Sequence, residues 1–256
     1  MMYKKNLKPF VKGRGKFNYT QLHGPVTYQR NEDDPTGKLH ELSWGYYFDR
    51  AGEEVSFSSQ PPYMPERITN LLPHLPFQKI VIGHSVMGQK ITALVANEDK
   101  KCRGVVVAMA RQHPGEAVGS WMMEGFMRAL EEHNKDIYWI IVPMINPDGV
   151  VQGNTRTGLL GYDFNRHWYM HEDSQRAHIF PEILAIVRFM KRKRRFLNKK
   201  IKLFLDFHGH SSKPNVFAYG PPHAKDSFFG QASHIFPYLL SQANPNFNTG
   251  QCSYQL

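Results

Sequence analysis

The stretch RQHPGE places His113 and Glu116 three positions apart, directly after a run of small apolar residues. An imidazole and a carboxylate that converge across one turn could supply two of the ligands of a hydrolytic zinc site, which commonly uses two histidines and one glutamate. The same pair could instead begin a helix, because Pro114 suits the first helical turn and Glu116 would meet the positive helix end. A metal site therefore requires a third ligand on a neighbouring strand.

A third candidate ligand follows the apolar segment KIKLFLDF. His208 stands directly at the end of this segment, and Asp206 lies two positions earlier on the same side of the expected strand. His210 competes with His208, which we favour because a sheet fixes the geometry at a strand end. His167 and His171 form a further spaced pair that could bind metal, but no second set of residues supports them. The predicted metal ligands are His113, Glu116 and His208.

The segment between the two ligand stretches holds residues suited to binding a carboxylate. Arg156 follows the turn motif NPDG, and Asn165 and Arg166 occur together in DFNRHW. Guanidinium groups pair bidentately with carboxylates and also stabilise a developing oxyanion. A lone arginine could equally be a surface charge, but an Asn-Arg pair beside Phe164 and Trp168 is less typical of a solvated surface.

These residues need elements that bring them to one place. From residue 80 onward, apolar β-branched runs alternate with helical patterns, which predicts βαβ units around a mixed, largely parallel central sheet with flanking helices. KIVIGHSV and QKITALVAN predict a β-pair, and RGVVVAMA, IYWIIVPMI and KIKLFLDF predict three more strands. Each of these three runs into a polar loop: RQHPGE, NPDGV or HGHSS. Because sites in open α/β sheets gather beyond the carboxyl ends of the strands, three site loops are expected at one edge.

Helical and β-type patterns also divide the chain into domains. A helix is predicted at about Glu66–Leu75 and another in HIFPEILAIVRFMKRK, and a third has one apolar face made of Val118, Trp121, Met122, Phe126 and Leu130. The first 63 residues instead contain the short β-type runs KFNYTQL, PVTYQR, SWGYYFD and EEVSFSS. We therefore predict a small β-rich N-terminal domain over residues 1–65 and an α/β domain over residues 66–256.

Composition points to a cytoplasmic, globular protein. Hydrophobic residues make up 41% of the sequence, which suits a packed core rather than disorder. Only Cys102 and Cys252 are present, so no disulfide framework is implied. No apolar run has the length of a membrane span, and the start MMYKKNLKPF lacks the apolar stretch of a secretory signal. The expected location is cytoplasmic, with a cytoskeleton-associated or nuclear location as alternatives, and without membrane association.

The net charge of +10 is concentrated late in the chain, because residues 183–256 carry 11 basic and two acidic residues. The segment MKRKRRFLNKKIK could attract an acidic partner or could be a solvated basic helix end. Lys191–Arg195 also fits a nuclear-localisation signal, although this pattern is weakly specific. Nucleic acid is not the expected partner, because the basic run is short and lacks interleaved aromatic residues.

Three segments, ARQHPGE, PMINPDGVVQGNTRTGLLGYDFNRHW and DFHGHSSKPNVFAYG, resemble the zinc metallocarboxypeptidases, specifically the cytosolic carboxypeptidase (deglutamylase) subfamily, over about residues 40–256. This resemblance implies a carboxypeptidase-like fold, with residues 66–256 as the catalytic domain and the N-terminal segment as part of a β-sandwich. It implies an enzyme with one zinc ion that removes C-terminal or side-chain glutamates from acidic protein tails such as that of tubulin. By this resemblance zinc is held by His113, Glu116 and His208, the substrate's terminal carboxylate by Asn165 and Arg166, and the scissile carbonyl is polarised by Arg156.

The resemblance also implies a general-base glutamate downstream of the last zinc ligand, and the sequence has none there. The last glutamate is Glu182, and Asp226, the one acidic residue after His208, does not match the expected position. We therefore expect a chain truncated at its C-terminus, with an incomplete sheet, either as a fragment of a longer protein or as an incompletely assigned gene; a true short form without the base is the alternative. Two functions follow: an active carboxypeptidase completed by the missing segment, or an impaired homologue or fragment that binds zinc and acidic tails. The chain as given is expected to be a monomer that binds zinc and hydrolyses poorly.

Overall fold

A computed structural model of the chain describes most of its residues, and these form two compact units, one ending at Gly209 and the other beginning at His210. The described residues are 8–13, 18–98, 102–132, 136–169, 177–197, 201–223 and 227–254. A domain boundary after residue 65 remains a prediction. None of the helices in the described ranges has the length and apolarity that crossing a membrane would need.

The N-terminal segment forms two small antiparallel sheets, in the orders β2-β1-β5 and β3-β4. Their strands are β1 (Phe10–Gly13), β2 (Thr20–Gln21), β3 (Val26–Arg30), β4 (His40–Trp44) and β5 (Val55–Ser58). The β-type runs PVTYQR and EEVSFSS are confirmed as β3 and β5. SWGYYFD is not a strand throughout: β4 ends before Gly45, and the rings of Tyr46 and Phe57 then pack 5.3 Å apart. The strand β1 was not predicted.

A five-stranded mixed sheet forms the centre of the first unit, in the order β10-β8-β9-β7-β6. Its strands are β6 (Gln78–His84), β7 (Lys90–Ala96), β8 (Gly104–Ala110), β9 (Ile137–Val142) and β10 (Ile201–Phe207). The strands β10, β8 and β9 are parallel, and β7 and β6 continue the sheet in antiparallel pairs. The predicted β-pair and the three predicted strands are confirmed. Because β8, β9 and β10 are parallel, their carboxyl ends lie at the same edge.

Helices cover both faces of this sheet. The α-helices among the described residues are α1 (Pro65–Leu71), α2 (Ala117–Glu132), α3 (Pro147–Val151), α4 (Pro181–Leu197) and α5 (Phe228–Ala243), and the last of these belongs to the second unit. Every residue of β8 is buried, which explains its continuous apolar sequence. Val107 packs in one core with Ile183 of α4, whereas the next residue, Ala108, packs in the other core with Met127 of α2. Successive side chains of β8 therefore point to opposite faces of the sheet and contribute to both cores. The predicted α/β class is confirmed.

The apolar face predicted for α2 is partly wrong. Trp121, Phe126 and Leu130 pack against the core as partly buried side chains, but Val118 is 45% exposed. Val118 lies in the first turn of α2, beside Gly209 rather than over the sheet. The fully buried line of the helix instead runs through Met123 and Met127, one turn apart, because these positions face the centre of the sheet.

Two buried carboxylates hold the turn between β6 and β7. Asp148 accepts hydrogen bonds from Ser85 Oγ and from the backbone N–H of Met87, the latter at 2.8 Å. Glu182, in the first turn of α4, accepts the N–H of Val86 at 3.3 Å. Burial raises the pKa of Glu182 to about 7, and the nearby charge of Asp148 adds to this shift against the opposing backbone hydrogen bonds.

The second unit contains α5 and an irregular pair of segments. Ser227 caps the start of α5 by accepting the N–H of Gly230 at 3.0 Å. Isolated β-bridges join Val216 to Phe247 and Tyr219 to Ser253. These bridges join the segment before α5 to the segment that follows it.

Candidate metal centre

A buried arginine shapes the loop that follows β8. Arg111 has a φ of 63°, which is unusual for a residue with a side chain, and it is 5% exposed. Its guanidinium donates to the backbone oxygens of Pro114 and Tyr63 at 2.7 and 2.9 Å, and to Ser120 Oγ at 3.0 Å. These bonds close the loop on itself and on α2, so that His113 and the following turn have a fixed position.

A glycine then lets this loop approach its neighbour closely. The N–H of Gly115 donates to Thr155 O at 2.8 Å, and a Cβ atom at position 115 would lie only 2.7 Å from that oxygen. The segment that leads to Arg156 therefore lies directly against the HPGE turn. This contact requires glycine in the middle of the motif.

His113, Glu116 and His208 converge as the sequence predicted, with ligand atoms that all lie within 4.8 Å of one another. His113 Nδ1 is 2.8 Å from Glu116 Oε1, and His208 Nδ1 is 3.0 Å from Glu116 Oε2. The backbone N–H of Gly209 donates to the same Oε2 at 2.7 Å, which ties the loop after β10 to the turn after β8. The structure thus brings two imidazole nitrogens and one carboxylate to a common point, a donor set that fits zinc.

The other nitrogen of each imidazole contacts a carboxylate. His113 Nε2 lies 3.0 Å from Asp163 Oδ1, and His208 Nε2 lies 2.7 Å from Asp206 Oδ2. When Nε2–H donates to a carboxylate, the lone pair of Nδ1 remains available for a metal ion. The residues therefore fit a zinc ion in both the donor set and the groups behind it.

The charges of the group favour a bound cation. Burial would raise the pKa of Glu116, but hydrogen bonds from His113, His208 and the N–H of Gly209 hold it well below its usual range. Burial would lower the pKa of His208, but the carboxylates of Asp206 and Glu116 raise it to about 9. With the carboxylates ionised, a proton on His208 carries the positive charge that a metal ion would otherwise supply.

Asp163 connects the candidate carboxylate-binding residues to the ligand group. Its Oδ2 accepts from Arg156 Nε at 2.8 Å, and its Oδ1 accepts the N–H of Asn165 at 2.9 Å, which caps the 3₁₀ turn Phe164–Arg166. Arg166, the next residue after Asn165 and the last of that turn, is exposed. The structure therefore places Arg156 and Asn165 on the same carboxylate that contacts His113. The sequence argument missed Asp163, although its position before a helical turn is a capping signal.

The competing histidines take part in other contacts. His210 belongs to the second unit, where its Nδ1 accepts the N–H groups of Ser212 and Lys213 at 3.2 and 3.1 Å. His167 Nδ1 is bound to the backbone oxygen of Asp163 at 2.7 Å, and its ring stacks on Phe180. His171 and Asp226 lie outside the described residues. The group that converges contains His208 rather than His210.

The NPDG motif begins a helix rather than forming a plain turn. Asn146 caps α3, because its Oδ1 accepts the N–H of Gly149 at 3.0 Å. Its Nδ2 donates to the backbone oxygen of Gln112 at 3.1 Å. The loop after β9 therefore supports the main chain next to His113, and the three strand-end loops meet as predicted.

The chain is similar to known zinc carboxypeptidases. The model of the zinc carboxypeptidase family matches residues 73–234. Cytosolic carboxypeptidase 2 of Danio rerio is 30% identical over 271 residues, which cover 96% of this chain and 36% of that protein. Cytosolic carboxypeptidase 6 of Mus musculus is 28% identical over 274 residues, which cover 99% of this chain and 49% of that protein. The chain thus spans between about a third and a half of the length of these relatives.

A solved structure shows the same fold. The metallo-carboxypeptidase from Burkholderia cenocepacia superimposes with a TM-score of 0.76 at 24% identity, over 98% of this chain and 65% of that one. The predicted carboxypeptidase-like fold is therefore confirmed. Because the family model matches well over half of the 256 residues, this chain belongs to the zinc carboxypeptidase family.

Proposed function

We propose that this chain is the zinc-binding and carboxylate-recognising part of a metallocarboxypeptidase that removes C-terminal or side-chain glutamates from acidic protein tails. The observation that carries this proposal is the convergence of His113 Nδ1, Glu116 and His208 Nδ1 within 4.8 Å. Two histidines and one carboxylate are the ligand set that leaves zinc a position for water. Membership of the family supports the reaction type, and Arg156, Asn165 and Arg166 support a substrate with a free carboxylate.

The residues divide the work as follows. His113, Glu116 and His208 would hold zinc, which when bound lowers the pKa of its water and polarises a carbonyl group. Asp163 holds Arg156 by a hydrogen bond of 2.8 Å, and the guanidinium can stabilise negative charge that develops on the carbonyl oxygen. Asn165 and Arg166 would bind the terminal carboxylate and so select the end of a chain.

Removal of a proton from the attacking water is the step that these residues support least. Each of the three carboxylates next to the imidazoles already has partners: Glu116 contacts both rings and Gly209, Asp163 contacts His113, and Asp206 contacts His208. A general base must be able to accept the proton within hydrogen-bonding reach. We therefore keep a second candidate function beside the first, a chain that binds zinc and acidic tails but hydrolyses them poorly by itself.

Substrate and location are part of the proposal. The net charge of +10 and the exposed Arg156 and Arg166 suit an acidic tail such as that of tubulin. A cytoplasmic location is supported by the names of the similar proteins, which are cytosolic carboxypeptidases. A monomeric state is proposed on the sequence alone.

Metal content and glutamate release together test the proposal. Purified chain should retain about one zinc ion, and His208→Ala should lose it while the matched variant His210→Ala keeps it. A folded, unaltered chain that takes up no zinc would refute the site. Zinc-dependent release of glutamate from a polyglutamate peptide would identify an active enzyme. Zinc-dependent binding of that peptide without release would identify the second candidate function.

A further inference from the structure

Gln112 links the two loops that supply the candidate metal ligands. It directly precedes His113 and is only 2% exposed. Its side-chain Nε2 donates to Asp206 Oδ2, and its Oε1 accepts from Trp168 Nε1 at 2.7 Å. An indole N–H can only donate and an ionised carboxylate can only accept, so these two partners fix the orientation of the amide.

The carboxylate that Gln112 contacts is the one behind His208. Asp206 Oδ2 lies 2.7 Å from His208 Nε2, and the other oxygen, Oδ1, is buried without a hydrogen-bond partner among the described residues. Within that part of the chain, the direction of this carboxylate therefore depends on Gln112 and on His208 itself. A carboxylate with one buried and unsatisfied oxygen is costly, so a specific donor to its other oxygen has a strong effect on its position.

The backbone of Gln112 is fixed as well. Asn146 Nδ2 donates to its backbone oxygen at 3.1 Å from the loop after β9. The side-chain partner Trp168 comes from the segment that contains Asn165 and Arg166. One residue thus joins the loop after β8, the end of β10 and the proposed carboxylate-binding segment.

From these contacts we infer that Gln112 is a positioning residue of the metal centre: it orients Asp206, which in turn presents His208 Nδ1 to the metal beside His113. This inference rests on the proposed zinc site. Groups behind metal-binding histidines typically change metal affinity by about 10- to 100-fold when they are removed. A role limited to filling the core would instead change the stability of the protein and leave the geometry of the centre alone.

Substitution of Gln112 by methionine separates these two roles. Methionine has a similar volume but forms neither hydrogen bond, and Gln152→Met, at an exposed position at the end of α3, serves as the matched control. Zinc affinity is measured by competition with a chromophoric chelator, and the ligand field is measured from the visible absorption of the Co²⁺-loaded protein. We expect Gln112→Met to weaken zinc binding about 10- to 100-fold and to shift the Co²⁺ spectrum, with no change in Gln152→Met.

Gln112→Glu provides a second variant of nearly the same shape. It replaces the donor that faces Asp206 with an acceptor, so we expect zinc binding to weaken at least as much as in Gln112→Met. The route through Asp206 is tested by a double-mutant cycle. In an Asp206→Ala background, Gln112→Met should change zinc affinity by less than about twofold, because Gln112 then has no carboxylate to orient.

The outcomes distinguish the two proposals. If the unaltered chain binds no zinc, the proposed function and this inference both fail. If the unaltered chain binds zinc and Gln112→Met binds it with the same affinity and the same Co²⁺ spectrum, this inference alone is overturned. A tenfold loss that persists in the Asp206→Ala background also overturns it, since Gln112 would then act by another route.

Discussion

Zinc and a proton should compete for His208, and a change of pH reveals this competition. In the metal-free protein, burial opposes the charged ring, but Asp206 and Glu116 raise the pKa of His208 to about 9. Zinc requires the neutral ring, because a protonated Nδ1 has no lone pair to donate. At pH 7 the proton should therefore lower the apparent zinc affinity by about 100-fold, or about 2.7 kcal/mol.

The direction of the effect follows from the raised pKa of His208. Apparent zinc affinity should rise about tenfold per pH unit from pH 7 and level off above about pH 9, where the ring is already neutral. Glu116 adds no proton in this range, because its pKa lies below the usual value. Chelator-buffered zinc titrations at several pH values measure the slope, and calorimetry in buffers of different protonation enthalpy counts the protons that zinc releases.

Asp206→Asn is the control for this experiment. It removes the carboxylate hydrogen bond that most strongly raises the pKa of His208, so its affinity should level off at a lower pH than that of the unaltered chain. An apparent affinity that changes less than about threefold between pH 7 and pH 9 would refute the reasoning, since a protonated His208 could not then stand at the ligand position.

Three further predictions concern the fold around the centre. The raised pKa of Glu182 means that the folded state holds a proton that the unfolded state releases, so this carboxyl should contribute a loss on the order of 3 kcal/mol of stability as pH rises from 4.5 through about 7. Urea unfolding at pH 4 and pH 8 should show a loss that is smaller by this amount in Glu182→Gln than in the unaltered chain, and the remaining loss includes the part that His208 contributes above about pH 6.5. Met127→Ala should cost about 2–5 kcal/mol in the same assay, whereas Val118→Ala, at an exposed position, should cost less than about 0.5 kcal/mol. In Gly119→Ala a Cβ atom would lie 2.6 Å from the last backbone oxygen of β10 and should displace the loop that carries His208, so zinc affinity should fall; Gly125→Ala has nothing within 4 Å and should leave zinc affinity unchanged.

Much of the fold could be predicted because the central strands are continuous apolar runs that end in polar residues. Parallel strands place such ends at one edge, so three separate loops pointed to one site before any contact was known. The convergence of the candidate ligands was predictable for the same reason, since His208 follows β10 directly and His113 follows the end of β8 after two residues. The exposure of Val118 could not be predicted. The local sequence does not show whether a residue in the first turn of a helix lies beside a loop or packs on the sheet.

The groups behind the ligands depend on long-range contacts that local sequence does not contain. The hydrogen bond between Gln112 and Asp206 joins residues 94 positions apart, and it exists because β10 pairs with β8 rather than with β9. Asp163 is likewise 50 positions from His113. Strand order decides which polar residues meet, and nothing in the pattern of apolar residues specifies that order.

The pairing of β8 with β10 also bears on how the protein is made in the cell. His113 and Glu116 leave the ribosome early, but His208 lies 92 positions after Glu116 and emerges only once β9 and α4 have been synthesised. Until then a nascent chain presents two of the three candidate ligands, and β8 can pair with β9 but not yet with β10. Small zinc modules can fold around the ion as soon as they emerge from the ribosome. In this protein the sheet and its two cores should form first. Cellular zinc supply, rather than translation, should therefore set the moment at which the centre is filled.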